Sequence, residues 1–426
     1  MNLIGLRIRN IRKEKSLTLK DLAQGIVSIP YLANIENGVK LASMETLMHI
    51  ARRLEVPEEV LLVNEEETNM EVLQELQLIF ELLVFSKTED IETKLNKIAS
   101  KVDLVQESPA VELAFYCLKA SYYYKIWEFS KAEEIEVRYL NNNEKRAECN
   151  FPIYLLTYYY YCQSLKHAFV TCDYKLVENY WKKCIEITDS PSFQVVFHIN
   201  ICINYICQNL YEPALSHVEA ASDLLNTIPD ASFELKGSLL YFYGYIYFQI
   251  GFLTEAKKHF NQAVEFYSLY PELTSKFYFV IRFKLAEIEK IEGNETQFDE
   301  NIILIYDEII AFENRGIDFA NNDFLVITEL MVIFAEKGWL EEATELMRIM
   351  SKVTERVMEL DYFIEYTETL LLYHEKEQAS YEKNMIDLLK KIEESNDPVL
   401  IERVKKHASK HFAKSTKYKM AYDILS

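Results

Sequence analysis

Glycine and proline are scarce, nine of each in 426 residues. So few chain breakers leave little room for the turns of a sandwich or a barrel, and point to helices joined by short connections. Cysteine is sparse as well: seven residues, an odd number, scattered and without a Cys-x-x-Cys pair. That excludes a disulfide framework or a zinc ribbon and fits a reducing cytoplasm. Long apolar runs are missing. The longest, Leu239 to Leu253, has 15 residues, five of them Tyr or Gln, too short and too polar to span a bilayer. Met1 to Arg7 lacks the apolar core of a signal peptide and reads as the start of a helix. The sequence also has no Gly-rich phosphate loop, no nucleophile elbow and no His-Glu-x-x-His, and its eight histidines show no metal-ligand spacing. Nothing here argues for an enzyme, a cofactor or a bound metal.

What is present is long enough for a large core, and its charge is uneven. The net charge is −21, yet residues 1–63 carry nine Lys or Arg against seven Asp or Glu, leaving 37 basic and 60 acidic residues in the remainder. An acidic body repels phosphate, so contact with nucleic acid belongs to the N-terminal head. One stretch runs the other way: Arg403 to Lys419 holds seven Lys or Arg and no acid. This basic tail reads as a cap on the last helices or a contact to a second subunit. A second nucleic-acid contact is the sharper alternative.

The head is written in short helices. Thr18 is a good N-cap, with Leu19, Leu22 and Ala23 at helical spacing behind it, and Gly25 ends that helix. Ser28 caps the next one, Pro30 sits in its first turn where a missing N–H costs nothing, and Asn37-Gly38 supplies a left-handed stop. Ser43 opens a fourth segment with Leu47, Ile50, Ala51 and Leu54 on one face, and Pro57 opens a fifth. The spacing from Arg12 through Leu22-Ala23 to Ile35-Glu36-Asn37-Gly38 resembles the Xre or Cro/CI class of repressor-like helix-turn-helix domains. The run from Gly25 to Gly38 resembles the NprR-type regulators more closely. That resemblance implies that Arg12 on helix 1 pairs with Glu36 at the end of helix 3. Where members often carry a phosphate-binding Gln after the helix 2 cap, this chain has Leu19. The second helix of the motif is then the recognition helix, from which Ser28, Ile29, Tyr31 and Asn34 reach base edges. Thr18 and Asn37 complete the set of DNA-contact candidates.

Asn64 to Asn69 is polar and acidic and reads as a linker; from Met70 onward helical periodicity is nearly continuous. Within it, Leu240 to Ala256 followed by Phe260 and Ala263 resembles the tetratricopeptide signature. Gly244 is the small residue at a helix crossing, Tyr247 packs below it, and Gly251 makes the turn. Taking Ala256 as anchor, equivalents fall at Ala132, Val177, Ala214, Phe298 and Ala343, with weaker ones at Ile91 and Tyr381. Their spacing exceeds the ideal repeat of about 34 residues, so each unit carries extended helices or loops. The expected fold is all-α: a five-helix head over residues 1–63, a linker at 64–69, and a right-handed superhelix of about seven to nine hairpins over 70–426 with basic capping helices.

Such a superhelix holds an extended peptide on its concave face, where amide side chains clamp the ligand backbone. By repeat register the amide position falls on Gln163, Asn200 and Lys284. Asn204 lies one turn beyond, and Tyr241, Tyr245, Gln249 and Arg282 flank the same face. The plainer alternatives are an inter-repeat hydrogen bond for Asn200 and a solvated face for Gln163, Arg282 and Lys284. The 29 tyrosines read as bulky, half-polar filler of repeat interfaces.

A repressor-like head on a tetratricopeptide body resembles the quorum-sensing regulators of Gram-positive bacteria grouped as Rgg, Rap, NprR and PlcR, with the length favouring NprR-like members. The resemblance implies a cytoplasmic, dimeric transcription factor. It binds double-stranded operator DNA and is switched by a short imported signalling peptide. Some NprR-like and Rap members also bind a response regulator, an activity with no readable motif here. A peptide-independent repressor, or a scaffold whose repeats only dimerise, fits the same sequence.

Overall fold

Capping residues and turn glycines fix where each helix of the head begins and ends. A computed structural model of the chain describes residues 3–62, 69–140, 151–228, 233–269, 277–316, 319, 321–352, 358–393 and 398–425. Among these residues every regular element is helical. The head holds α1 (Ile4–Glu14), α2 (Leu19–Ala23), α3 (Ile29–Glu36) and α4 (Met44–Arg53). Thr18, Ser28 and Ser43 are N-caps, and their hydroxyl oxygens accept from the backbone N–H of Asp21, Tyr31 and Thr46. Gly25 (φ 75°) and Gly38 (φ 70°) supply the left-handed turns. The fifth helix expected at Pro57 is a single 3-10 turn, Glu58–Val60. Ile8, Leu22, Leu32, Ile35, Ile50 and Leu54 are fully buried and give the head its own core. The proposed linker lies outside the described residues except Asn69, which caps the next helix.

The body is a run of helical hairpins. In order they are α5 (Met70–Val84) with α6 (Ile91–Lys101), α7 (Pro109–Lys125) with α8 (Phe129–Ile135), α9 (Ile153–Lys166) with α10 (Tyr174–Ile187), and α11 (Pro191–Ile206) with α12 (Tyr211–Asn226). There follow α13 (Phe233–Gln249) with α14 (Leu253–Leu269), α15 (Tyr278–Ile291) with α16 (Glu295–Asn314), and α17 (Asn321–Lys337) with α18 (Leu340–Ser351). The last are α19 (Met358–His374) with α20 (Gln378–Ile392), and α21 (Pro398–Lys414) with α22 (Tyr418–Leu425). Packing divides the chain into two compact units, Met1–Leu239 and Leu240–Ser426.

The repeat register read from the sequence holds at atomic detail. Ala132, Val177, Ala214, Ala256, Phe298, Ala343 and Tyr381 each occupy the fourth position of the second helix of a hairpin. All are at most 2% exposed. Ile91 is buried too, but at the first position of its helix. The long period comes from long helices: α13 and α14 have 17 residues each and α16 has 20. Tyrosines fill the interfaces as expected. Tyr158 donates to the Gln77 side-chain oxygen at 2.9 Å and Tyr161 to the Leu83 carbonyl at 2.8 Å, while Phe80 packs between their rings. The basic tail packs on neighbouring hairpins: Arg403 makes ion pairs of 2.8 Å to Glu329 and Glu336.

Gly244 shows why the strongest repeat needs a small residue. A Cβ built there would lie 2.5 Å from two carbons of the Phe260 ring, which is itself fully buried. Overpacking of this kind costs more than the roughly 1 kcal/mol of helix propensity that alanine gains over glycine. Gly244→Ala is expected to lose about 1–2 kcal/mol in denaturant unfolding, and Gly244→Ala/Phe260→Leu to recover most of it. A neutral single variant would mean that the ring can move aside.

Candidate nucleic-acid interface and peptide-contact residues

The expected recognition helix, α3, is braced from behind and open in front. Arg12 donates from Nε to Glu36 Oε1 at 2.6 Å and from Nη2 to Oε2 at 2.8 Å, a bidentate pair, and from Nη1 to the Leu17 carbonyl at 2.8 Å. Both side chains are nearly buried, at 11% and 4% exposure. Hydrogen bonding to Glu36 raises the Arg12 pKa further, so the charge is permanent. This ties α1 to the end of α3. Gly5 brings the same two helices together, since a Cβ there would overlap the Ile35 carbonyl.

On the open side Ser28 and Ile29 are exposed, while Tyr31 and Asn34 are half-exposed. Tyr31 also donates its hydroxyl to the Leu41 carbonyl at 3.3 Å, and the Asn34 carbonyl accepts from the Val39 N–H at 2.8 Å. Asn37, exposed, is the C-cap of α3. Thr18 is exposed, but its hydroxyl is bound to Asp21 at 2.6 Å in a capping box, so it first serves to start α2.

A contact that the sequence reading did not find fastens the head to the first hairpins. Arg7 on α1, 2% exposed, donates from Nε to Glu112 Oε2 at 2.8 Å, from Nη1 to the Val60 carbonyl at 2.9 Å, and from Nη2 to the Glu107 carbonyl at 2.6 Å. Burial pushes the Glu112 carboxyl above the usual range, and Arg7 opposes that shift. Glu14 pairs with Arg138, and Asn69 donates to the Glu107 carboxylate at 3.0 Å. The readable signal was Arg7 itself, a charge on the buried stripe of Ile4, Ile8 and Ile11. Its partners lie too far along the chain to be read.

The expected peptide clamps separate into distinct environments. In the first unit Gln163 is 5% exposed and donates to Glu136 Oε1 at 2.9 Å, within a buried network that Lys166 completes. It belongs to the interior rather than to a ligand surface, a correction to the register argument, which marks a helix face but not how deeply it is buried. Asn204 is corrected likewise: 6% exposed, it donates to the Tyr174 carbonyl at 3.1 Å and joins two repeats. Asn200, one turn earlier, is half-exposed, and its amide makes no hydrogen bond among the described residues. Near it His198 and His217, on α11 and α12, meet Nδ1 to Nδ1 at 2.9 Å. Burial, with His217 alongside, lowers His198 to about 4, so the pair stays neutral. No cluster of three or more metal-ligating side chains occurs among the described residues.

In the second unit Tyr241 stacks on Phe277 with centroids 4.3 Å apart and packs against Tyr245, and Gln249 is exposed at the end of α13. Arg282 lies over Tyr278 and pairs with Glu308 at 3.3 Å. Lys284 pairs with Glu287 at 2.6 Å over the ring of Phe248. Both cations are thus engaged within the repeat.

Residues 8–61 match the helix-turn-helix family, so the head is a helix-turn-helix domain, and every regular element of the body among the described residues is helical. Its fold is similar to that of the apo form of the quorum sensor NprR from B. thuringiensis, at 14% identity over 84% of this chain and 99% of that one, with a TM-score of 0.57. The apo form of RapI is similar at 9% identity over 83% and 97%, TM-score 0.60. A Rap protein complexed with competence and sporulation factor is similar at 13% identity over 84% and 96%, TM-score 0.56. At such identities the likeness is one of fold. No curated protein matches the sequence. No helix among the described residues is long and apolar enough to cross a membrane.

Removing one partner of a buried ion pair strands the other charge, at a cost of roughly 3–5 kcal/mol. Arg12→Ala should therefore melt the head selectively. Hydrogen exchange of full-length protein is expected to lose protection in α1 and α3 while the α13–α14 hairpin keeps it. Unchanged protection in α3 would show that Glu36 finds another partner.

Proposed function

We propose that the chain is a homodimeric transcriptional regulator: the head binds double-stranded operator DNA, and a short signalling peptide held by the repeat body switches it. The carrying observation is the braced recognition helix, whose first turn is open to solvent while α1 makes the contacts to the body. That arrangement leaves Ser28, Ile29, Tyr31, Asn34 and Asn37 for the major groove. The peptide arm is supported by the fold shared with NprR, named a quorum sensor, and with a Rap protein complexed with competence and sporulation factor. It is also supported by Asn200, a half-exposed amide on a repeat helix with donor and acceptor uncommitted.

Two substitutions test the two arms. With DNA from upstream of its own gene, Asn34→Ala should lose about 1–3 kcal/mol of specific binding and relax base preference with the fold intact, read by footprinting and anisotropy. Wild-type binding should also weaken steeply with salt. Equal operator affinity for Asn34→Ala and wild type removes Asn34 from the interface. For the second arm, a library of short synthetic peptides is screened for thermal stabilisation of the full chain. Asn200→Ala should weaken the best binder about tenfold or more, because ligand groups are left buried without a partner, and should leave peptide-free DNA binding unchanged. A library with no stabilising peptide would favour a peptide-independent repressor.

A further inference from the structure

A cavity of approximately 470 Å³ lies in the second unit, where the end of α19, the start of α20 and the end of α21 meet. That size falls within the span of about 300–1,000 Å³ typical of small-molecule sites. Tyr381 lines it. The residue is 0% exposed, and its hydroxyl has no hydrogen-bond partner among the described residues. Burial raises the phenol well above its usual range, so it stays a protonated donor that lacks an acceptor.

The rest of the lining is rich in donors and positive charge. Lys376 and Lys414 are exposed at the rim, and neither ammonium is engaged by an ion pair among the described residues. One acid in this corner, Glu382, is already held by Lys417 at 2.5 Å, Gln378 at 3.2 Å and His411 at 3.4 Å. Glu375 and Glu377, in the turn with Lys376, are exposed and do not line the cavity. His374 gives one ring nitrogen to the Ala335 carbonyl at 2.8 Å, which leaves the other beside the cavity. Two free ammonium groups and an unpaired phenol ask for an acceptor of charge near two with several oxygens. A phosphate monoester has both, whereas a single carboxylate leaves one cation unmatched.

We propose that this cavity binds a small phosphorylated metabolite, its phosphate held by Lys376, Lys414 and the Tyr381 hydroxyl. The site belongs to the second unit and shares no residue with the DNA or peptide reading, so the proposal stands or falls independently of it.

Calorimetry on the full chain, with ribose 5-phosphate, inorganic phosphate and acetate at matched ionic strength, is the test. Saturable binding of ribose 5-phosphate is expected, tighter than inorganic phosphate, with no response to acetate. Lys376→Ala/Lys414→Ala, at exposed positions that leave the core untouched, should weaken it at least tenfold. Tyr381→Phe keeps the ring and should weaken it severalfold. Absence of saturable binding in the wild type, full affinity in the double lysine variant or in Tyr381→Phe, or an equal response to acetate overturns the proposal. Binding of inorganic phosphate alone overturns it in favour of the free ion.

Discussion

The guanidinium of Arg7 is the point on which the arrangement of head and first hairpins depends. It is withdrawn from water, and a buried charge is tolerated only when every donor is met. Its partners come from three places: the Val60 carbonyl of the head, the Glu107 carbonyl before α7, and the Glu112 carboxylate on α7. Two of the three are backbone atoms, which cannot swing away. The orientation of α1 against the body is therefore set by fixed groups, and through Arg12 and Glu36 the position of α3 follows from it. A rearrangement of the first hairpins has a mechanical route to α3.

Charge is distributed in keeping with that division of labour. The head carries a small positive balance and the remainder a large negative one. Phosphate backbones are thus favoured at the head and repelled elsewhere. Two cations of the basic tail are committed to acids, Arg403 to Glu329 and Glu336, and Lys417 to Glu382. Those pairs tie the last helices to earlier ones across more than one hairpin.

How much could be read beforehand follows from the range of each interaction. N-caps, capping boxes and left-handed glycines act over three or four residues, so Thr18, Ser28, Ser43, Gly25 and Gly38 announced the helices of the head directly. The buried alanines and Gly244 were legible because each repeat reuses one packing position. Arg12 and Glu36 were legible only through the resemblance to repressor-like domains. Side chains whose fate depends on distant partners were not. Gln163 and Asn204 sit at the predicted helical phase, but depth is decided by neighbours such as Glu136 and Tyr174. Arg7 and Glu112 are 105 residues apart. The meeting of His198 and His217 required knowing how α11 and α12 pack.

A peptide can move such a protein between states only through unequal affinity for them, and the coupling must then be reciprocal. Titration calorimetry of the stabilising peptide into full-length protein, alone and saturated with operator DNA, measures this directly. The account predicts peptide affinities that differ between the two titrations, matched by an equal factor in operator affinity with and without peptide. Identical peptide affinity in both would contradict it, and would leave the repeats as a dimerisation or scaffolding body.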